Sequence, residues 1–254
     1  MEPLFFGGPQ QRLYGVHHPP STRARSTAVL LCYPLVQEYN RTHWAFRRLA
    51  GMLSREGFHV LRFDYSGTGD SAGEYRAGSV KQWCANIREA ATELKDLANV
   101  RQVSVIGMRL GATLAVLANS DGLAVHDLVL WDPAVDGASH IKELRRVERL
   151  KFGMSRQGPH ANQRELLGYA FPIELSTDIQ RVALDEVSRW PARRVLIFAS
   201  EDRPEYTRLA SHIEACTGKP QTLRVIPGEV STGLEEVLLS THILHAMTTA
   251  LAGE

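Results

Sequence analysis

The sequence is poor in cysteine and has no metal-binding spacing. Its 254 residues include three cysteines, and their positions, Cys32, Cys84 and Cys216, are too scattered for a disulfide framework. Because neither a Cys-x-x-Cys nor a His-Glu-x-x-His spacing occurs, we expect no metal site and no cofactor. So few scattered thiols are typical of a reducing compartment, and we therefore expect a cytoplasmic protein.

The sequence also lacks an excess of either charge and any long apolar run. Lys and Arg number 29 against 28 Asp and Glu, without blocks of like charge, so we expect neither nucleic acid nor a membrane as a partner. No apolar run approaches the ~18 residues of a membrane-spanning helix. Residues 1–6 lack the charged and apolar regions of a signal peptide.

Short apolar runs rich in β-branched residues are present instead, separated by helical patterns. This alternation predicts a doubly wound, mostly parallel sheet in a single α/β domain over residues 1–254. Segments Leu4 to Gly8 and Arg12 to His17 suggest an antiparallel strand pair at one edge. Ser79 is a candidate N-cap for a following helix, and a closing helix is expected over 234–251. The runs predicted as strands of the main sheet are 28–32, 58–63, 103–106, 128–131, 195–198 and 223–226.

One stretch, residues 137–190, breaks this alternation. It has helical patterns and no strand signal, so it predicts a helical cap inserted between two strands. Such an insertion would cover the carboxyl ends of the strands, where sites in open α/β sheets lie.

The segment from Val103 to Ala112 predicts a strand, a tight turn and a helix. Its Gly-x-x-x-Gly turn, Gly107 to Gly111, is typical of a nucleophile elbow. The residue presented by this turn is Arg109. A guanidinium stays protonated and cannot attack a carbonyl, so the turn offers a fixed cation in place of a nucleophile.

These residues carry a family resemblance that spans nearly the whole chain. The elbow, and the segment Leu61 to Gly73 with its Asp-x-x-Gly-x-Gly-x-Ser loop, resemble the serine-aminopeptidase-like branch of the α/β-hydrolase superfamily. The chain is similar in particular to the exosortase-system-associated hydrolases of the second type, which have a Gly-x-Arg-x-Gly elbow and a Leu-Trp-x-Pro-x-Val-x-Gly segment, here Leu130 to Gly137. The resemblance implies an α/β-hydrolase fold and a bacterial biosynthetic setting.

The triad of that superfamily is incomplete in this sequence. Asp202 or Glu201 follows a predicted strand and is placed to be the acid, although an ordinary loop or helix-capping role explains Asp202 better. The histidine is expected after the last strand, near 227–231, where the sequence has none. His242 and His245 come later, within the closing helix. A Ser-His-Asp mechanism therefore cannot be assembled.

Two roles, separately or together, are open for Arg109. With the Leu110 N–H it could clamp a carboxylate, phosphate or enolate of a ligand. Alternatively it is tied internally to Asp132, Glu38 or Asp64, with Asp132 favoured because it directly follows a neighbouring strand.

The loop that begins at Tyr33 supplies the remaining candidates. Tyr33-Pro34 replaces the usual start of an oxyanion loop, which leaves Leu35 as the donor. Glu38 and His43 form a candidate acid/base pair, unless Glu38 is the brace and His43 only a helix-start residue. The run Arg145 to Arg149 is either a solvated face or a contact for an acidic partner.

Two functions follow from these residues. The first is an enzyme acting on an acyl, ester or thioester metabolite without a serine nucleophile, in which Arg109 stabilises an anion and Glu38, Asp132 or His43 act as acid or base, with Leu110, Leu35, Tyr33 and Asp202 in ligand contact. The second is a catalytically silent pseudo-hydrolase that binds a small acyl or anionic ligand or a biosynthetic partner such as a carrier protein. A conventional hydrolase using Ser66, Ser71 or Cys32 is a third, weaker hypothesis.

Overall fold

The computed structural model describes residues 1–8, 11–153, 165–227 and 241–253. Within these ranges, eight strands form the main sheet, and two short strands form a separate hairpin. The strands are β1 (Glu2–Phe6), β2 (Leu13–His18), β3 (Thr27–Cys32), β4 (Val60–Phe63), β5 (Gln102–Met108), β6 (Val125–Trp131), β7 (Glu165–Leu166), β8 (Tyr169–Ala170), β9 (Ala192–Ala199) and β10 (Thr222–Val225).

The main sheet has the order β1-β2-β4-β3-β5-β6-β9-β10. β1 pairs antiparallel with β2, and β2 pairs antiparallel with β4. The neighbours that follow in this order, β4-β3-β5-β6-β9-β10, all pair in parallel. The predicted mostly parallel sheet and the antiparallel pair at its edge are therefore confirmed. β3, β5 and β6 are almost continuously apolar and buried, as strands covered by helices on both faces must be.

Helices connect the parallel strands. Ser79 caps the second helix as predicted, because its hydroxyl accepts a hydrogen bond from the Gln82 N–H at 3.1 Å. The predicted closing helix is described only from residue 241, and residues 234–240 lie outside the described part of the chain. The helices are α1 (Gln37–Arg55), α2 (Val80–Ala98), α3 (Leu110–Ser120), α4 (Gly137–Phe152), α5 (Ile173–Gln180), α6 (Pro204–Thr217) and α7 (Thr241–Ala252).

The segment between β6 and β9 contains α4, α5 and the β7–β8 hairpin. The expectation that it has no strands was wrong, because strands of only two residues give no alternating pattern. The hairpin turns at Leu167 and Gly168, both with positive φ (54° and 88°), as its two-residue turn requires. α4 starts against the end of α5, since a Cβ on Gly137 would lie 1.8 Å from the Ile179 carbonyl oxygen.

Candidate functional site

The turn from β5 to α3 has the backbone of a nucleophile elbow. Arg109 lies at φ 52° and ψ −124°, a conformation that side-chain-bearing residues rarely adopt and that costs about 1–3 kcal/mol. The two glycines of the turn are required by contact. A Cβ on Gly107 would lie 2.5 Å from the Ala112 Cα, and one on Gly111 would lie 2.1 Å from the Tyr33 carbonyl oxygen.

The Arg109 guanidinium is held by two carboxylates. Its Nε donates to Glu38 Oε1 at 2.9 Å, and its Nη2 donates to Glu143 Oε2 at 2.5 Å. The residue is only 9% exposed. Burial disfavours the charge, but the attraction of Glu38 and Glu143 outweighs it and raises the pKa of Arg109. Arg109 is therefore a permanent cation inside an internal ion-pair network.

Two further side chains complete this network, which we call the elbow cluster (Arg109, Glu38, Glu143, His140 and Arg203). Arg203 Nη2 lies 3.8 Å from Glu143 Oε1, and His140 Nε2 lies 3.9 Å from Glu38 Oε2. Burial lowers the pKa of His140, so the ring is neutral at pH 7. Glu38 Oε2 and His140 Nδ1 are buried without a hydrogen-bond partner among the described residues.

Sequence reasoning missed Glu143 and His140. Both come from α4, one helical turn apart, and α4 buries His140, Ile141 and Leu144. The sequence pattern predicted a helix in this segment, but it did not indicate which strand ends the helix would cover. The one available signal was a glutamate beside the apolar face of a helix expected above the site.

The prediction that Asp132 is the main partner of Arg109 was wrong. Asp132 follows β6 as expected but has a positive φ of 43°. Its carboxylate instead accepts hydrogen bonds from Ser200, from the N–H at 2.7 Å and from the hydroxyl. Burial raises the pKa of Asp132, and the two hydrogen bonds from Ser200 oppose this effect. Asp132 therefore ties the end of β6 to the end of β9.

The proposed pairing of Glu38 with His43 was also wrong. Five residues apart on α1, the two side chains differ by about 140° around the helix axis. Glu38 reaches Arg109, whereas the His43 ring stacks on Tyr33 with centroids 6.0 Å apart. Asp64, the third suggested partner of Arg109, accepts a hydrogen bond from the Tyr39 hydroxyl at 2.8 Å. Tyr33, His43 and Asp64 thus belong to a separate cluster.

The remaining predicted contact residues lie at the two helix starts or outside the cluster. Leu110 and Leu35 are buried, at the first residue of α3 and just before α1. First-turn N–H groups have no acceptor within their helix, so Leu110 keeps a donor beside Arg109. Asp202 is exposed and has no polar side-chain contact among the described residues, and Glu201 pairs with Arg203 at 3.1 Å. Residues 228–231, where a triad histidine would be expected, lie outside the described part of the chain.

The three alternative nucleophiles are held in structural contacts. Cys32 is fully buried, and burial raises the pKa of its thiol. The Ser71 hydroxyl donates to the Asp64 carbonyl at 2.6 Å and accepts from the Tyr14 N–H at 2.8 Å. The Ser66 hydroxyl donates to Asn86 Oδ1 at 2.9 Å. None of these side chains has a histidine in hydrogen-bond contact among the described residues.

A cleft of about 420 Å³ opens beside the elbow cluster, between α4 and the start of α6. Arg109, His140, Glu143 and Arg203 lie on its inner side. Three exposed cations line its outer side: Lys142, Arg146 and Arg149. We call them the α4 cation row, and none of them forms an ion pair with a described residue. At spacings of four and three residues, these side chains share one face of the helix.

Arg145, the neighbour of this row, points elsewhere. It pairs with Glu148 at 2.9 Å and donates to the Glu165 carbonyl. Glu148 in turn accepts from the Leu167 N–H at 2.8 Å. The predicted basic run is therefore divided between a brace for the hairpin and a lining of the cleft.

The sheet order, the elbow and the inserted helices define an α/β-hydrolase-fold protein. The chain belongs to the serine aminopeptidase family, since the family model described as Serine aminopeptidase, S33, matches residues 34–199. No curated protein matches the chain. Similarity to the exosortase-associated subgroup remains a prediction.

Solved structures match the whole chain at low identity. The proline iminopeptidase-related protein of Thermus thermophilus is 18% identical, with a TM-score of 0.67 and coverage of 99% of this chain and 97% of that one. Est1E of Butyrivibrio proteoclasticus with bound ferulic acid is 18% identical, with a TM-score of 0.64 and coverage of 98% and 96%. Mouse alpha/beta hydrolase domain-containing protein 10 is 14% identical, with a TM-score of 0.63 and coverage of 100% and 98%. These matches establish the fold.

The described residues include no group of three or more His, Cys, Asp and Glu side chains placed to hold a metal ion. None of their helices combines the length and apolar character needed to cross a bilayer.

Proposed function

We propose that this chain is a catalytically silent member of its family that binds an anionic acyl metabolite in the cleft beside the elbow. The observation that carries the proposal is the pairing of Arg109 with both Glu38 and Glu143. A guanidinium whose charge is already matched by two carboxylates has little positive potential left for an oxyanion or an attacking group. The elbow then acts as a structural brace between α1, α3 and α4.

The contacts of the three candidate nucleophiles in the described part of the chain support the same conclusion. Nucleophilic catalysis needs a hydroxyl or thiol in contact with a base. The Ser66 and Ser71 hydroxyls are bonded to structural acceptors, and the Cys32 thiol is enclosed in the core.

The α4 cation row supports anion binding. Its three side chains carry no carboxylate partner in the described part of the chain, and they face a cleft whose inner charges are already paired. An anionic group on the ligand would therefore meet the row, and its acyl part would enter the cleft near Ala134 and Val135. An acidic carrier protein would present the same charge, and remains the alternative partner that the sequence suggested.

Titration calorimetry at low salt tests this proposal with octanoyl-coenzyme A, octyl phosphate and uncharged octanamide. We expect the two anions to bind saturably and octanamide not to bind. The double variant Arg146→Glu, Arg149→Glu should weaken anion binding at least about 10-fold. Arg48→Glu, an exposed charge reversal on α1, is the matched control and should leave binding unchanged. Equal losses of affinity in the double variant and the control, or no saturable binding of either anion, would overturn the proposal.

A second candidate function is hydrolysis without a covalent step, and one observation favours it. Glu38 Oε2 and His140 Nδ1 are buried without a hydrogen-bond partner in the described ranges, and a catalytic role is one explanation of such unsatisfied buried groups. In this case Glu38 would activate a water molecule. Turnover of esters or thioesters that is lost in Glu38→Gln, while the variant stays folded, would establish this function and exclude a silent elbow.

A further inference from the structure

A second cleft contains a buried cation that forms no ion pair with a carboxylate of the described residues. Arg62, on β4, is 6% exposed. Its Nη1 donates to the Tyr33 hydroxyl at 2.7 Å, and its Nε donates to His18 Nε2 at 3.0 Å. Arg62 forms no ion pair with any residue in the described ranges. A guanidinium offers five N–H donors, so most of its donor capacity is unused.

Both acceptors of Arg62 are uncharged at pH 7. Burial raises the pKa of Tyr33 to about 12, although the nearby Arg62 opposes the shift. Burial, followed by repulsion from Arg62, lowers the pKa of His18 to about 4. The nearby carboxylate of Asp64 is occupied, because Oδ1 accepts from the Tyr39 hydroxyl and Oδ2 from the Asp70 N–H. The Arg62 guanidinium is therefore hydrogen-bonded to two neutral groups, and no carboxylate of the described residues contacts it.

Arg62 lines a cleft of about 460 Å³ between the β2–β4 edge and α1. Tyr14, Tyr39 and Val16 provide aromatic and apolar walls, and Arg47 adds a second cation at the exposed rim. The carboxylates of Asp64 and Asp70 lie in the same cleft. A single negative charge therefore suits this cleft better than a dianion, which both aspartates would repel.

We propose that this cleft is a binding site for a small monocarboxylate that carries an aromatic or apolar group. The carboxylate accepts hydrogen bonds from the free Nη2 edge of Arg62 and from the Tyr33 hydroxyl. The apolar group lies against Tyr14, Tyr39 and Val16. This site is separate from the elbow cluster, since none of its lining residues belongs to the cleft beside α4.

Amide NMR of ¹⁵N-labelled protein tests this site with three aromatic probes: benzoate, uncharged benzamide and doubly charged phenyl phosphate. We expect saturable shifts with benzoate, at amides of residues 14–18, 39–47 and 62–64, and at least about 10-fold weaker binding of the other two probes. Benzamide binding as strong as benzoate, or shifts confined to α4 and the elbow, would overturn the proposal. This experiment needs no variant.

Variants then identify the cation. Arg62→Gln should weaken benzoate binding at least about 10-fold, because one charge-assisted contact is lost. If this variant does not fold, substitutions at two exposed residues of α1 provide the test. Arg47→Gln should weaken benzoate binding a few-fold, and Arg48→Gln should leave it unchanged. Unchanged binding in folded Arg62→Gln, or equal effects at 47 and 48, contradicts the assignment. The double variant at Arg146 and Arg149 should bind benzoate normally in this cleft, so the two proposals can fail separately.

Discussion

Replacing Arg109 with methionine removes the cation that Glu38 and Glu143 share. Methionine keeps most of the side-chain volume and does not change the backbone requirement at φ 52°, so the change isolates the charge. Removing one partner of a buried ion pair costs ~3–5 kcal/mol, because the other partner is left without compensation. Since the Glu143 side chain is 38% exposed and Arg203 remains 3.8 Å from it, we expect a loss near the lower end, about 3 kcal/mol.

Urea unfolding at pH 7.5, followed by circular dichroism, measures this loss. The matched control is the triple variant Arg109→Met, Glu38→Gln, Glu143→Gln, in which no charge is left unpaired. This variant should recover at least about 2 kcal/mol of the loss. The deficit of the single variant should also shrink as the pH falls, because burial raises the pKa of Glu143 once the opposing attraction of Arg109 is removed. A loss below about 1 kcal/mol, or no recovery in the triple variant, would refute the assignment of Arg109 as a brace.

The remaining predictions concern the turn and the pH dependence. Gly111→Ala places a Cβ 2.1 Å from the Tyr33 carbonyl oxygen and should lower the free energy of unfolding, measured in urea, by more than about 3 kcal/mol. The control Gly8→Ala, whose Cβ would have nothing within 4 Å, should change this free energy by less than about 0.5 kcal/mol. Folding lowers the pKa of His18 from 6.5 to about 4. The contribution of neutral His18 to the free energy of unfolding is therefore fully present above pH 6.5 and is lost as the pH falls to 4, a decrease of about 3 kcal/mol. His18→Gln, which keeps an acceptor for Arg62, should flatten this dependence; an unchanged slope would contradict the assignment.

The elbow was predictable from sequence because its requirements are local. Gly107 and Gly111 are four residues apart, and each is required by an atom that its own turn or the adjacent strand end places beside it. The strands and the N-cap at Ser79 depend on similarly local patterns. Such features are recognisable from a few neighbouring residues, even where the contact itself comes from another strand, as at Gly111. The family and the sheet could therefore be inferred before the structure.

Of the two ion-pair partners of Arg109, Glu38 was among the candidates predicted from sequence, whereas Glu143 was not predictable in the same way. Glu143 reaches the elbow only because α4 packs across the strand ends, and that packing depends on contacts such as Gly137 against Ile179. Asp132 was a reasonable candidate by position, but its left-handed φ, which the sequence does not reveal, turns the carboxylate to Ser200. Single-residue backbone geometry and long-range helix packing therefore separated the predicted cluster from the observed one.

The division of the α1 residues has a simpler cause. Glu38 and His43 were paired because they are near in sequence, yet helical geometry directs them to different faces. His43 and Tyr33 consequently line the cleft of Arg62 and not that of Arg109. Weighing the helix phase of this segment would have separated the two clusters.

The most direct test of the silent elbow is intact-mass spectrometry after prolonged incubation with a fluorophosphonate probe. Because Arg109 is held by two glutamates and the hydroxyls of Ser66 and Ser71 are bonded to structural acceptors, we expect the mass of the protein to stay unchanged. A stoichiometric phosphonyl adduct on any side chain would contradict this, since it would require an activated nucleophile in the folded protein.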